Sequence, residues 1–321
     1  LNYLFPLKIA GREISKYLLN LFNIFFFIFL INFIYNFLIF FFYFKKTDKL
    51  DLFHCNSGSY PGRISGIAAI LAAKVSRNPK IILTIHNECN RIYDPFFFIY
   101  DLIVKNCCDK VIPICENVKN SLINKKKFKQ EILNVITIGL DDRADKYELI
   151  NKEKYFTNDS GFNILISGNF EEKRKGHEEL FLAIKELSIK NKNVMLAIAG
   201  TGSDKRKLHL NNLAYKLGIE KNINFLGYVD DISELNSASD LVIVPSVGPE
   251  AIPYTILEGL RAAKPIITSI YGGCVEAAKD GYNGFVINPH DFKTLAKKIS
   301  FFIEKASLPV YYNFKRRISS L

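Results

Sequence analysis

The stretch Pro249-Glu250-Ala251-Ile252-Pro253-Tyr254-Thr255-Ile256-Leu257-Glu258-Gly259-Leu260 decides how this chain is read. An apolar run from Leu241 to Ser246 precedes it, and Gly248 and Pro249 mark a short loop. Pro253 then falls near the first turn of a helix, where a missing N–H costs little. The order is strand, loop, helix, with two carboxylates, Glu250 and Glu258, eight positions apart. Loops after parallel strands form the crevice in which open α/β sheets bind ligands. A helix N-terminus facing that crevice offers N–H groups to an anion such as a diphosphate. Two glutamates at arbitrary spacing would read as a solvated loop charge and a helix-surface charge, so the neighbouring sequence has to carry the rest.

On both sides strands alternate with helices. Strands are expected at Asn163–Ser167, Val194–Ala199, Ile223–Leu226, Leu241–Pro245, Pro265–Ser269 and Gly284–Ile287. The helix His177–Ile189 places Leu180, Ile184 and Leu187 on one face. A further helix is expected from about Asp291. In the first half, strands are expected at Leu50–Cys55, Lys80–His86, Lys110–Cys115 and Val135–Gly139. Helices are expected at Gly62–Val75, Pro95–Cys107 and Asn117–Ile123. Such alternation predicts parallel sheets of the α/β class. The domain reading is an apolar segment 1–49, a Rossmann-like domain 50–150, a second 151–305, and a tail 306–321. Polar residues from Asp142 to Gly161 read as the linker. Gly200-Thr201-Gly202 lacks the third glycine of a dinucleotide fingerprint and reads as a tight turn.

Several of these segments carry motifs in a fixed order. Pro245-Ser246, Glu250-Ala251-Ile252-Pro253, Ile256-Leu257-Glu258-Gly259 and Lys264-Pro265-Ile266-Ile267 resemble the signature of retaining glycosyltransferases of family 4, which have the GT-B fold. Asp51-Leu52-Phe53-His54, His86, Val111-Ile112-Pro113-Ile114-Cys115-Glu116 and Ile136-Thr137-Ile138-Gly139-Leu140-Asp141 are similar to elements of the family's N-terminal domain. Ser167-Gly168-Asn169 through Lys175-Gly176 resembles its donor-diphosphate loop, with Asn169 in place of the family's Arg and Lys175 on its Lys. Tyr271-Gly272-Gly273-Cys274-Val275-Glu276 looks like its Gly-Gly-x-x-Glu loop. No Gly-Gly loop precedes Asp51, and the chain opens on Leu1 rather than Met. An N-terminally truncated or remodelled acceptor-side domain is therefore expected, and the tail is expected to cross back onto it.

The resemblance implies two Rossmann-like domains and transfer of a sugar from a nucleotide-diphosphate sugar, with retention at the anomeric carbon. It implies that Glu250 contacts the donor-sugar hydroxyls and that His86 lines the same sugar. Glu258 would accept from the nucleotide ribose. Lys175, Gly168, Asn169 and the loop from Ile252 through Pro253 and Tyr254 to Thr255 would hold the diphosphate. No D-x-D pair occurs, which sets aside the metal-dependent site of the other glycosyltransferase fold. The expectation is a metal-independent hexosyltransferase without a cofactor, acting on a glycan or lipid-linked acceptor in surface polysaccharide or glycolipid synthesis. Two other readings stay open. One is a nucleotide-sugar epimerase on the same fold. The other is an inactive relative, to which the missing glycine loop and Asn169 point.

Composition bounds the partners. The 321 residues carry a net charge of +11, which favours anionic ligands or an acidic membrane surface. The basic residues do not interleave with aromatics on a nucleic-acid module, so no nucleic-acid partner is expected. The six cysteines form no C-x-x-C and read as small buried residues in a reducing compartment. Leu18–Phe44 holds no charged residue, and eleven of its 27 positions are Phe. Lys16 and Lys45-Lys46 flank it, and its four asparagines are read as not sharing one face. A membrane span, a segment lying in the membrane plane and an apolar helix of the first domain all fit its composition. The expectation is membrane association on the cytoplasmic side.

Overall fold

The computed structural model describes residues 8–9, 12–13, 16–89, 97–140, 152–156 and 161–306. The chain divides into two compact units. One comprises residues 1–113 with 119–135, the other 114–118 with 136–321.

The first unit opens with a two-residue hairpin, β1 (Lys8–Ile9) and β2 (Arg12–Glu13), and a 31-residue helix, α1 (Lys16–Lys46). Then follow β3 (Leu52–Ser57), α2 (Ile64–Ser76), β4 (Lys80–Ile85), α3 (Phe97–Cys107), β5 (Lys110–Pro113) and α4 (Glu116–Lys126). The three longer strands pair in parallel in the order β3-β4-β5. Ala68, Ala69, Ala72 and Ala73 on α2 are buried. Side chains this small let neighbouring backbones approach closely. Helix α1 packs along α2. The C-terminal end of α1 is held by Arg77, just beyond α2. Its guanidinium donates to the carbonyls of Phe44 (3.0 Å), Lys45 (2.5 Å) and Thr47 (2.7 Å). Those are among the carbonyls that a helix end leaves without intrahelical partners.

The expected strand Val135–Gly139 is not formed. Leu133 bridges Val111, and the Asn134 N–H donates to the Val111 carbonyl at 3.0 Å. The next rung of a parallel ladder would need an N–H from residue 113, which is Pro113 and has none. Two of the four α1 asparagines meet. Asn32 and Asn36 share a face, with Asn36 Nδ2 donating to Asn32 Oδ1 at 2.6 Å.

The second unit contains β6 (Phe162–Ser167), α5 (His177–Ile189), β7 (Val194–Ala199), α6 (Asp204–Leu217), β8 (Ile223–Gly227) and α7 (Ile232–Ala238). It continues with β9 (Leu241–Val244), α8 (Tyr254–Arg261), β10 (Ile266–Ser269), α9 (Cys274–Ala277), β11 (Gly284–Ile287) and α10 (Phe292–Lys305). All six strands are parallel, in the order β11-β10-β9-β6-β7-β8. This is the doubly wound order, and its switch point lies between β6 and β9. Strand side chains alternate between two cores. Ile164, Ile166, Leu196, Ile198, Leu241 and Ile243 enter one core. Leu165, Met195, Ala197, Val242 and Val244 enter the other. A parallel sheet covered by helices on both faces requires apolar residues at both parities, which is why these strands read as unbroken apolar runs.

Of the expected linker, residues 152–156 are described. Lys152–Lys154 form one 3₁₀ turn, and Tyr155 and Phe156 are buried in the second core. Residues 141–151 and 157–160 of that linker, and the tail from 307, lie outside the described residues.

Candidate active site

The switch point fixes which loops can form a site in the second unit. The β6–α5 loop leaves the carboxyl end of β6 and the β9–α8 loop leaves the adjacent end of β9. The first loop carries three consecutive cations, Lys173, Arg174 and Lys175, in one 3₁₀ turn closed by Gly176. Gly176 adopts φ +76°, and a Cβ there would fall 2.0 Å from the Pro245 carbonyl oxygen. Only glycine lets this loop pass so close to the end of β9. That close passage brings the cations to the second loop.

There they meet Glu250. Its Oε1 accepts from Lys175 Nζ at 2.7 Å and from Ser246 Oγ at 3.2 Å, and forms an ion pair with Arg174 Nη1 at 2.5 Å. The Glu250 side chain is 7% exposed and that of Lys175 19%. The other carboxylate oxygen, Oε2, takes no hydrogen bond among the described residues. Arg174 also donates to the Pro249 carbonyl at 3.2 Å and pairs with Glu172 at 2.5 Å, and its own carbonyl accepts from the Val247 N–H at 2.7 Å. The two loops are thus joined by a buried carboxylate with two cations on one oxygen. In a low-dielectric site such charge-assisted contacts are short and directional.

Helix α8 begins beside this cluster. Pro253 is its N-cap, with φ −66°, and no side chain caps the helix. The helix therefore opens with Tyr254 and Thr255 N–H groups that no side chain takes. Thr255 Oγ1 lies 2.9 Å from Ser167 Oγ at the end of β6, tying the start of α8 to the neighbouring strand. Ile252 is buried and packs the loop down, whereas Tyr254 is half exposed. Glu258 follows one turn into α8. Burial pushes its carboxyl above the usual range, with Arg261 partly offsetting this. Among the described residues nothing hydrogen-bonds the Glu258 carboxylate.

The other expected site residues fall as follows. Gly168 takes φ +139° and a Cβ on it would stand 3.9 Å from Lys175 Cε, so it borders the cation. Asn169 is exposed, and its Oδ1 accepts from the Glu171 N–H at 2.8 Å, serving the loop itself. His86 belongs to the first unit, just after β4, with Nε2 2.7 Å from Asn56 Oδ1. Sequence reasoning left Arg174 as an unplaced charge beside Lys175 and did not single out Ser167.

Comparison with known proteins agrees with this geometry. The model for the family described as "Glycosyl transferases group 1" matches residues 148–317, more than half of the chain. The chain belongs to the group 1 glycosyl transferases. It is 25% identical over 269 residues to the capsular polysaccharide biosynthesis glycosyltransferase CapM of Staphylococcus aureus, covering 80% of this chain and 70% of CapM. It is 34% identical over 125 residues to the uncharacterized glycosyltransferase MJ1607 of Methanocaldococcus jannaschii, covering 38% of this chain and 31% of that one. Among solved structures, a glycosyltransferase from Rickettsia africae superposes with a TM-score of 0.76 at 23% identity, over 89% of this chain and 75% of its own. Anabaena Alr3699/HepE in complex with UDP-glucose gives a TM-score of 0.71 at 20% identity, over 84% and 74%. With its parallel sheets and flanking helices, this glycosyltransferase has the two-domain α/β fold of those neighbours, GT-B.

Proposed function

We propose that this glycosyltransferase moves a hexose from a nucleotide-diphosphate sugar to a glycan or lipid-linked acceptor, with retention of anomeric configuration and without a metal. The observation that carries this reading is the pair of cations, Arg174 and Lys175, brought to the switch point beside the uncapped start of α8. That arrangement suits a diphosphate that gains negative charge as the sugar leaves. Cations and N–H groups fixed in advance stabilise a developing anion without reorganising. The cations stand in for the metal ion that other sites use for the same charge.

The roles are assigned on the family resemblance together with position in this site. Lys175, Arg174 and the Tyr254 and Thr255 N–H groups hold the diphosphate, and Gly168 gives it room beside Lys175. Glu258, whose carboxylate takes no hydrogen bond among the described residues, accepts hydrogen bonds from the ribose. Glu250 orients Lys175 and Arg174 through Oε1 and presents Oε2 to a donor-sugar hydroxyl. The scissile bond then breaks with oxocarbenium character at the anomeric carbon. His86 is assigned to the donor sugar on the resemblance alone.

The names of the relatives support the acceptor class. CapM is named for capsular polysaccharide biosynthesis. A Campylobacter jejuni relative, 35% identical over 86 residues, is named as a transferase acting on a diphospho-undecaprenol sugar. We read this chain as a member of the same class, in surface polysaccharide or glycolipid synthesis at the cytoplasmic side of the membrane. The test is to incubate the chain with radiolabelled UDP-, GDP- and ADP-sugars and membrane lipid extract. Label appearing in glycolipid, lost in Lys175→Met, supports the reading. Binding of a nucleotide without label transfer under any donor would contradict it.

A further inference from the structure

Helix α1 packs one apolar face on the protein and leaves a second apolar face exposed. Phe27, Ile31, Tyr35, Leu38 and Phe42 follow one another at steps of four, four, three and four, so they share one face, and they are 44–65% exposed. Two asparagines flank it, Asn32 exposed and Asn36 half-buried. Asn32 and Asn36 line a groove of about 540 Å³ together with Arg63 and Ser65 at the start of α2 and Tyr100 on α3. A continuous exposed apolar face of this length is at odds with water as its surroundings. Residues Phe26–Lys46 are long and apolar enough to cross a membrane. Their attachment, however, runs along the helix. Phe29 packs on Tyr100 of α3 with ring centroids 5.8 Å apart, and Phe44 packs on Phe53 of β3 at 5.3 Å. Those two anchors are fifteen residues apart, roughly 22 Å of helix. Arg77 fixes the carbonyls beyond the second anchor. Standing α1 across a bilayer would draw α3 with it, and with α3 the charges of Asp101 and Lys105. Lying flat leaves those charges in water and buries only the apolar face.

We infer that α1 seats this protein in one anionic lipid leaflet, parallel to the membrane plane, with its Phe27–Ile31–Leu38–Phe42 face in the acyl region. Charge complementarity selects the leaflet. From Lys16 to Lys46 the helix carries Lys16, Lys45 and Lys46 and no acidic residue. Basic residues beside an apolar helical face attract anionic lipid and make the association salt-dependent. The inference stands on the first unit and is independent of the sugar donor.

The test uses the full chain in flotation with phosphatidylglycerol-containing vesicles and with pure phosphatidylcholine vesicles. The expected result is flotation with the anionic vesicles, weakened several-fold by raised salt. The double variant Ile31→Glu/Leu38→Glu should weaken it by about tenfold or more with an unchanged thermal melt, since both side chains are exposed. Asn32→Ala/Asn36→Ala, to the side of that apolar face, should float as wild type does. Tags at the two ends of the chain, probed with protease on sealed membrane vesicles from expressing cells, should be cut from the same side. Cutting from opposite sides would establish a span and overturn the inference. Salt-independent absence of flotation would overturn it as well. If a dimer that the glutamate variant dissociates accompanies that absence, the face instead belongs to a second copy.

Discussion

At the residue scale the protein turns on Glu250. Its buried carboxylate receives Lys175, Arg174 and Ser246 on one oxygen. Removing one partner of a buried ion pair leaves the other uncompensated, which costs more than the pair itself is worth. Glu250→Ala is therefore expected to lower stability by about 3 kcal/mol. The same change leaves two cations facing the proposed diphosphate subsite. A nucleoside diphosphate should then raise the melting temperature of the variant more than that of the wild type, while transfer is lost. Differential scanning fluorimetry with and without the nucleotide checks both halves; an equal or smaller ligand shift in the variant would contradict the assignment. Glu258 gives a second residue-scale expectation. Its carboxyl is raised by burial, so it gains a proton at a higher pH than an ordinary glutamate. If it accepts from ribose hydroxyls, nucleotide affinity should fall as pH drops toward the carboxylate range. Glu258→Gln should flatten that part of the profile.

At the scale of elements, the close passage at Gly176 and the end of α1 each make a prediction. Gly176→Ala forces a left-handed residue and a collision with the Pro245 carbonyl. It should cost at least about 2 kcal/mol and weaken nucleotide binding, because the cation loop is displaced. A calorimetric titration showing wild-type affinity would refute the role given to this contact. Arg77→Ala removes three hydrogen bonds to the carbonyls ending α1. We expect a loss of about 1–2 kcal/mol and faster amide exchange in the last turns of α1, with α5 unaffected.

These elements also show what the sequence made legible. The strands of the second unit were readable because both parities are apolar, and His177–Ile189 and Val194–Ala199 were placed to the residue. The Glu250–Glu258 segment was legible because proline, glycine and the strand before it fix a loop-to-helix turn. Val135–Gly139 misled, because its apolar alternation does not reveal that the strand it would join ends on a proline. Arg174 was hidden in a run of charges, since sequence spacing does not say which of three adjacent cations turns toward β9. The four asparagines of α1 form no common stripe in the sequence, and what that pattern does not reveal is the contact between Asn32 and Asn36 at i and i+4.

At the scale of the whole molecule, a buried histidine sets a pH limit on stability. His177, the first residue of α5, is 1% exposed, and neither ring nitrogen has a hydrogen-bond partner among the described residues. Burial, with Arg206 and Lys175 adding to it, lowers its pKa from 6.5 to about 4. The unfolded chain therefore binds a proton that the folded chain refuses between those values. The contribution of the neutral ring is intact above pH 6.5 and is lost as pH falls toward 4, a change of up to about 3 kcal/mol. Denaturant melts over that range should show the decline, and His177→Phe should reduce it. The six cysteines are all unpaired, five of them buried, and burial pushes every thiol up. Thiol reagents should therefore react slowly with the native chain.

The central claim is that the switch point of the second unit holds a nucleoside diphosphate. Isothermal titration of UDP, GDP and ADP into the wild-type chain and into Glu258→Ala tests it most directly. We predict that one of the three binds, that raised salt weakens it through Lys175 and Arg174, and that Glu258→Ala loses it without losing its fold. A well-folded wild-type chain that binds none of the three, or binds one equally in Glu258→Ala, would contradict the account.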